Sequence, residues 1–535
     1  MKKLILFVVI GILSACNPTT QPPVELTPQI TSVKPRVANP GDLVTILGSG
    51  FDTKASVKIG DQIAKISSIK SDSIIATMPI LVPNDYAVTV VNPNQKSDSK
   101  PGPSVLGAST QTSDYIDGEV FVTLDPTVDE AKLKTFAAQN GFTVLRFIAP
   151  LSGSVGACSK GYAVLKDNTQ GRSTKDAINK VAEQSDVYDA DPHTSVRGDA
   201  YIDSAPTKEQ KPEIDVISAE RAYNLMKSKN INLSNLRVAV LDTGVSTHYE
   251  FMDTLAFKVK NLETGKNFTT EDNSADPRVG AEDVSDLGFS QNAGSGGHGT
   301  GVAAIIAAMD DNANGGSANV QTPMVGGAAG ASIVPVKVCT KDNKCLGSDV
   351  IAGLCYAINQ KVSVMNLSFG GDTPSHSLKA VLETASTQGI TVVAAAGNDG
   401  DSAPAHFPAA YSPSIDGLMA VGSAAPTRVS ANWTGSDFSI PGAWVDLVAP
   451  GQTVYTATVN PGSTFEVFGY GNLEGTSFAA PWVSATAVML KALNPTWTPA
   501  QIKTQIVKTA KPLSCSSVIK CGAGLLNMAD AVQAP

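Results

Sequence analysis

Arg237-Val238-Ala239-Val240-Leu241-Asp242-Thr243-Gly244 is a run of four apolar residues whose first polar successor is a carboxylate. An unbroken apolar run of this length reads as a strand buried on both faces. Similar runs recur at 333–338, 362–367, 390–396 and 418–421, separated by helical patterns. Apolar strands alternating with helices predict a parallel sheet in an α/β domain. In such sheets ligands sit at the carboxyl ends of the strands, so Asp242 is a candidate site residue. By itself it reads equally well as a helix cap or as a turn with Gly244.

Three further stretches bear on Asp242. Gly296-Gly297-His298-Gly299-Thr300-Gly301 encloses one of only five histidines in glycines, just ahead of an apolar helix over 302–309. Glycine lets backbone approach an imidazole that must touch two partners. Gly475-Thr476-Ser477-Phe478-Ala479-Ala480-Pro481 sets a serine at the start of a helix, where unpaired amides stabilise negative charge. A serine there is also a common N-cap. Thr391-Val392-Val393-Ala394-Ala395-Ala396-Gly397-Asn398 is a buried strand ending in a carboxamide, and Asn-Asp-Gly is also a turn.

Taken together, these motifs resemble the subtilase family, whose chain order is Asp, His, Ser. The resemblance covers 213–532. It implies that Asp242, His298 and Ser477 form the catalytic triad and that Asn398 donates to the oxyanion. Chemically, His298 would be the base that activates the serine hydroxyl, and Asp242 would orient the imidazole. The resemblance also implies that Ser368, Phe369 and Gly370 pair with extended substrate as an added strand. The opposite edge would lie near Cys345-Leu346-Gly347, and Ala395 and Gly397 would line the main specificity pocket. It places His406 near the pocket floor, predicting a shallower or more polar pocket that disfavours large aromatic residues. A surface histidine is the alternative. Two other functions remain to be weighed. One is a non-catalytic relative, which would lack one of the four site residues. The other is a lipase, which would need Gly-x-Ser-x-Gly.

The N-terminal half reads as several smaller units. Asn39-Pro40-Gly41-Asp42-Leu43-Val44-Thr45-Ile46, followed by Gly48-Ser49-Gly50-Phe51, is similar to the all-β, immunoglobulin-like IPT/TIG sandwich, expected over 28–92. A polar linker with Pro101, Gly102 and Pro103 is expected up to about Ser113. The order strand, helix, strand, strand, helix, strand over 114–198 resembles the α+β, ferredoxin-like prodomain of subtilases, with its first helix starting at Asp125-Pro126. Arg197 to Pro212 reads as the cleavage region.

Lys2 and Lys3 precede an apolar stretch from Leu4 to Leu13, too short to span a bilayer comfortably. Leu13-Ser14-Ala15-Cys16 resembles a bacterial lipobox, implying a signal over 1–15, lipidation of Cys16 and export to the cell envelope. Self-cleavage after the prodomain is then expected to release the protease from its anchor. Export favours disulfides. Cys339 with Cys345 and Cys515 with Cys521 are plausible local pairs; Cys355, on an apolar helical face, reads as a buried thiol, with Cys158 in a different domain.

The formal charge of -9 without basic runs argues against a nucleic-acid partner. The expected partners are extended polypeptides and the chain's own prodomain. The membrane is reached only through the lipid, and the protein is expected to be a monomer. No cofactor is needed for this chemistry. Calcium is common in the family, but no loop can be assigned to it; Asp310-Asp311-Asn312-Ala313-Asn314 reads equally well as a surface loop.

Overall fold

The computed structural model describes residues 26–106, 115–151, 153–198, 201–202, 211–253, 258–269, 286, 297–309, 324–426, 433–461, 466–513, 515 and 521–533. The signal, Cys16, Gly296 and the 310–314 loop lie outside the described residues.

Residues 29–105 form two four-stranded antiparallel sheets. Alternating side chains (Val44, Ile46, Val57, Ile59, Ile74, Val88 and Val90) close a dry core between them. The linker expected from residue 92 is instead largely strand: Ser97–Val105 pairs with Asn84–Val91. Its prolines concealed it. They are tolerated because this strand lies at the edge of its sheet, where half the amides need no ladder partner.

The next unit runs strand Tyr115–Leu124, helix Glu130–Asn140, strands Phe142–Ile148 and Gly161–Asp167, helix Thr174–Ala182 and strand Val187–Gly198. The first strand lies between the third and fourth in an antiparallel sheet, with the second at the edge. The first helix begins later than Asp125, because the Asp125 carboxylate takes the Thr127 amide in a local turn. Asp129 caps the helix by accepting from the Lys132 amide. Period-two alternation splits the sheet faces. Val120, Val122, Ala163 and Leu165 pack under the helices, while Phe121, Tyr162 and Val164 face the C-terminal domain.

The C-terminal domain is built on strands Ser332–Lys337, Arg237–Asp242, Val364–Leu367, Thr391–Ala395 and Leu418–Pro426, adjacent in that order and parallel. Both faces are covered. Val238, Val240, Val393 and Ala395 pack against helices His298–Ala307 and Thr476–Leu493. Ala239, Leu241, Val392 and Ala394 pack against helices Gly347–Asn359 and His376–Thr387. The chain goes from Arg237–Asp242 to one neighbour, Ser332–Lys337, and then across to the other, Val364–Leu367. This is a topological switch point, and Asp242 stands at its carboxyl end.

Cys339–Cys345 and Cys515–Cys521 are disulfides. Cys355 is not a thiol: it is bonded to Cys158 across 197 residues of sequence. Its helical face is apolar because it packs against the middle unit as well as its own domain, a contact that a helical pattern does not encode.

Candidate active site

The Asp242 carboxylate is 1% exposed, and its Oδ1 accepts from His298 Nδ1 at 2.6 Å and from the Thr243 amide at 2.7 Å. A carboxylate only accepts, so Nδ1 carries the proton, and in the neutral ring Nε2 is left as the basic nitrogen. Gly299 makes this approach feasible. A Cβ there would lie 2.1 Å from the Gly244 carbonyl oxygen and 3.0 Å from Asp242 Cβ. His298 opens the helix His298–Ala307, and its ring packs edge-on against Phe478, with centroids 5.3 Å apart.

Phe478 follows Ser477 in the first turn of the helix Thr476–Leu493, which is buried from Thr476 to Leu490, after Gly475 at φ +145°, a conformation that side-chain-bearing residues rarely adopt. Ser477 Oγ donates to the Ser368 carbonyl at 2.9 Å, and Ser368 Oγ donates to the Ser477 carbonyl at 2.8 Å. Asn366 Nδ2 donates to Ser368 Oγ at 2.8 Å, while Asn366 Oδ1 accepts from Ser484 at 2.8 Å. The carboxamide oxygen of Asn398 accepts from the Thr476 amide and hydroxyl, both at 2.9 Å. Pinning the oxygen fixes the amide flip and turns Nδ2 the other way.

A second buried carboxylate, Asp286, braces this centre, and nothing in the sequence around it singles it out. It accepts from the Thr300 amide and hydroxyl at 2.8 and 2.9 Å and from the Thr243 hydroxyl at 2.8 Å. Burial raises its pKa, against the opposing charge of Lys337.

The strand-binding edges are occupied by the chain itself. Val187–Gly198 leaves the middle sheet and enters between two strands of the C-terminal domain, antiparallel to both. Ser195, Val196 and Arg197 stand opposite Leu346, Cys345 and Lys344. Arg197 and Gly198 stand opposite Gly370 and Phe369. The next described strand, Tyr201–Ile202, pairs with Glu474 and Leu473, just ahead of Ser477. The two pairings bracket residues 199–200, which lie outside the described residues.

His406 is not on the surface. It is 4% exposed and wedged between Gly370 and Gly397, where an added Cβ would lie 2.2 Å and 2.7 Å from its ring nitrogens. Burial lowers its pKa to about 4, and its Nε2 has no hydrogen-bond partner among the described residues. Ala395 and Gly397 are buried alongside. Among the described residues no cluster of His, Cys, Asp and Glu could hold a metal.

Residues 234–524 match the Subtilase family model, and residues 28–104 match that of the IPT/TIG domain. Subtilisin BL of Lederbergia lenta is 32% identical over 314 residues, which make up 59% of this chain and 95% of that protein. The major intracellular serine protease of Bacillus subtilis is 36% identical over 273 residues, 50% of this chain and 72% of the relative. The crystal structure of fervidolysin from Fervidobacterium pennivorans, a keratinolytic enzyme related to subtilisin, superposes with a TM-score of 0.58 at 21% identity. That match takes in 80% of this chain but only 62% of fervidolysin, and at this identity it speaks to the fold alone. By sequence and by architecture, the chain belongs to the subtilase family, as a subtilisin-like serine peptidase preceded by an IPT/TIG domain.

Proposed function

We propose that the chain is the precursor of an exported serine endopeptidase that cleaves extended polypeptides through Asp242, His298 and Ser477 and processes itself. The observation that carries this reading is the strand Val187–Gly198, which lies between the edges at Lys344–Leu346 and Phe369–Gly370 and is followed by Tyr201–Ile202, paired with Glu474 and Leu473 three and four residues ahead of Ser477. It has the backbone pairing an extended substrate would use, with affinity from the main chain and little demand on sequence.

In this reading the serine hydroxyl swings from the Ser368 carbonyl to His298 Nε2, gives up its proton and attacks the carbonyl carbon. Asn398 Nδ2 and the Ser477 amide stabilise the oxyanion. The imidazolium, held against Asp242, then protonates the leaving amine, and water releases the acyl group by the reverse sequence. Residues 114–198 act as a ferredoxin-like prodomain, chaperone and inhibitor. Residues 1–15 are a lipoprotein signal and Cys16 is the lipidated residue of a bacterial envelope precursor. The enzyme works as a monomer without a cofactor.

In this reading self-processing cuts between Gly198 and Tyr201, a choice supported by the pairing of the residues on either side with the two halves of the site. Incubation of the purified full chain, followed by a reducing gel and sequencing of the new N-terminus, tests this. Two fragments with a new terminus at 199, 200 or 201 are expected, and none from Ser477→Ala. Cleavage that persists in Ser477→Ala, or a terminus well outside this window, would contradict the reading.

A further inference from the structure

Cys158 lies in the turn Gly156–Ser159 of the middle unit, while Cys355 lies in the helix Gly347–Asn359 of the peptidase domain. They form a disulfide and are 1% and 3% exposed. The turn is seated firmly. The Ala157 amide donates to Thr384 Oγ1 at 3.2 Å, and Tyr162 donates to the Ala157 carbonyl at 2.6 Å. A Cβ on Gly156 would lie 2.7 Å from the Thr384 side chain. Cleavage between Gly198 and Tyr201 would place Cys158 on one product and Cys355 on the other.

We infer that self-cleavage yields a two-chain enzyme whose N-terminal fragment, IPT/TIG domain and prodomain together, stays covalently attached to the peptidase through Cys158–Cys355. This rests on the self-processing reading above. The release expected from the sequence then does not follow from cutting the chain alone.

Non-covalent contacts join all three domains at the same face. Arg36 of the IPT/TIG domain reaches Asp189 at 2.5 Å and Asp191 at 3.5 Å in the inhibitory strand, and its Nη1 lies 3.0 Å from His376 Nε2. Asp191 Oδ2 accepts from the Ser377 amide at 2.9 Å, while Asp85 Oδ1 lies 2.9 Å from His376 Nδ1. The IPT/TIG domain also grips the prodomain directly, through reciprocal hydrogen bonds between Val37 and Asn179 at 2.9 and 3.0 Å. Such contacts let a cleaved fragment leave on dilution. A disulfide does not, because it holds the inhibitory strand near the cleft at an effective concentration of about millimolar.

The bond forms when the two thiols give two electrons and two protons to a disulfide oxidant of the exporting compartment, which becomes a dithiol. It is severed when a dithiol reductant attacks one sulfur, passes through a mixed disulfide and leaves as a cyclic disulfide, restoring both thiols. Degradation of the fragment is the other way out. Lasting activity therefore requires cleavage and, separately, loss of the tether.

The test uses full-length wild-type protein after self-processing, quenched with a sulfonyl fluoride and run on denaturing gels with and without dithiothreitol. One species of precursor mass without reductant, giving two fragments with it, is expected. Two fragments under both conditions would overturn the tether. A single chain even after reduction would instead show that processing itself fails, and the proposal would fall with it. Processed Cys158→Ser provides a second readout. Its peptidase activity per molecule should rise at least ~10-fold on dilution to nanomolar, while that of the wild type stays flat. The same dilution response in both would count against the inference.

Discussion

Ser368 and Ser477 exchange hydrogen bonds in both directions, each hydroxyl donating to the other residue's carbonyl oxygen at 2.8 to 2.9 Å. The pair ties the candidate nucleophile to the strand that would bind substrate, and Asn366 supports it from below. Ser368→Ala leaves the buried Ser477 carbonyl and Asn366 Nδ2 each short of one partner. A loss of about 1–3 kcal/mol in stability is expected. Turnover should fall about tenfold with KM little changed, as measured by steady-state kinetics beside thermal melts. A change in KM alone would indicate a substrate contact only.

Asn398 is locked through its oxygen, and the proposed mechanism uses its nitrogen as the donor to a developing oxyanion. Asn398→Leu should lower kcat about 100- to 1000-fold and leave KM within a few fold. Thr476→Val keeps the backbone donor to Asn398 but loses the hydroxyl that also accepts from the Gly397 amide at 3.0 Å. A smaller loss, about tenfold, is expected. Equal losses in both variants would point to misfolding of the turn instead of a missing oxyanion donor.

The His406 ring fills space between Gly370 and Gly397. His406→Gly should deepen the pocket and raise kcat/KM for substrates with Phe or Tyr before the scissile bond by about 10- to 200-fold over wild type. Peptide-library profiling of both enzymes reads this out. A wild-type enzyme that already prefers those residues would refute the assignment of the ring to the pocket.

Glu213 and the buried histidines set opposite pH trends. Desolvation pushes Glu213 up to about 7, so folding holds a proton that the unfolded chain releases above its ordinary value of 4.5. Its contribution is fully present below pH 4.5 and is lost as pH rises through 7, by up to about 3 kcal/mol. Glu213→Gln should therefore raise the melting temperature at pH 8 and do little at pH 4.5. His248 and His406, both lowered to about 4 by burial, contribute stability that is present above pH 6.5 and lost as pH falls towards 4. Melting curves of Glu213→Gln and His406→Asn across pH 4–8 check both signs. A Glu213→Gln variant that gains as much stability at pH 4.5 as at pH 8 would rule out titration as the cause.

The catalytic domain was the most legible part because its signals are local. Four apolar residues before Asp242 make a doubly buried strand whatever surrounds it, and four of the five observed strands fall within one or two residues of those read from apolar runs, while Leu418–Pro426 runs on beyond its run of 418–421. Gly299 and Gly475 were legible because close approach and positive φ leave few alternatives to glycine. What the sequence hid depends on distant partners. Ser97–Val105 reads as a linker until its edge position excuses the prolines. Cys355 reads as a core thiol until the middle unit brings Cys158 to it. Arg36 resembles any surface arginine, yet it is half-buried among carboxylates from two units, which together keep its pKa raised against desolvation. Asp286 looks like one more polar loop residue.

In the proposed mechanism His298 activates Ser477 as a nucleophile under the control of Asp242. The most direct measurement is labelling of the processed protein with a serine-directed fluorophosphonate, with the modified residue located by mass spectrometry. The adduct is predicted on Ser477, with the labelling rate falling at least ~1000-fold in a folded His298→Ala variant that has been cut in trans by wild-type enzyme to the same two fragments. An adduct on another residue, or an undiminished rate in His298→Ala, would contradict it.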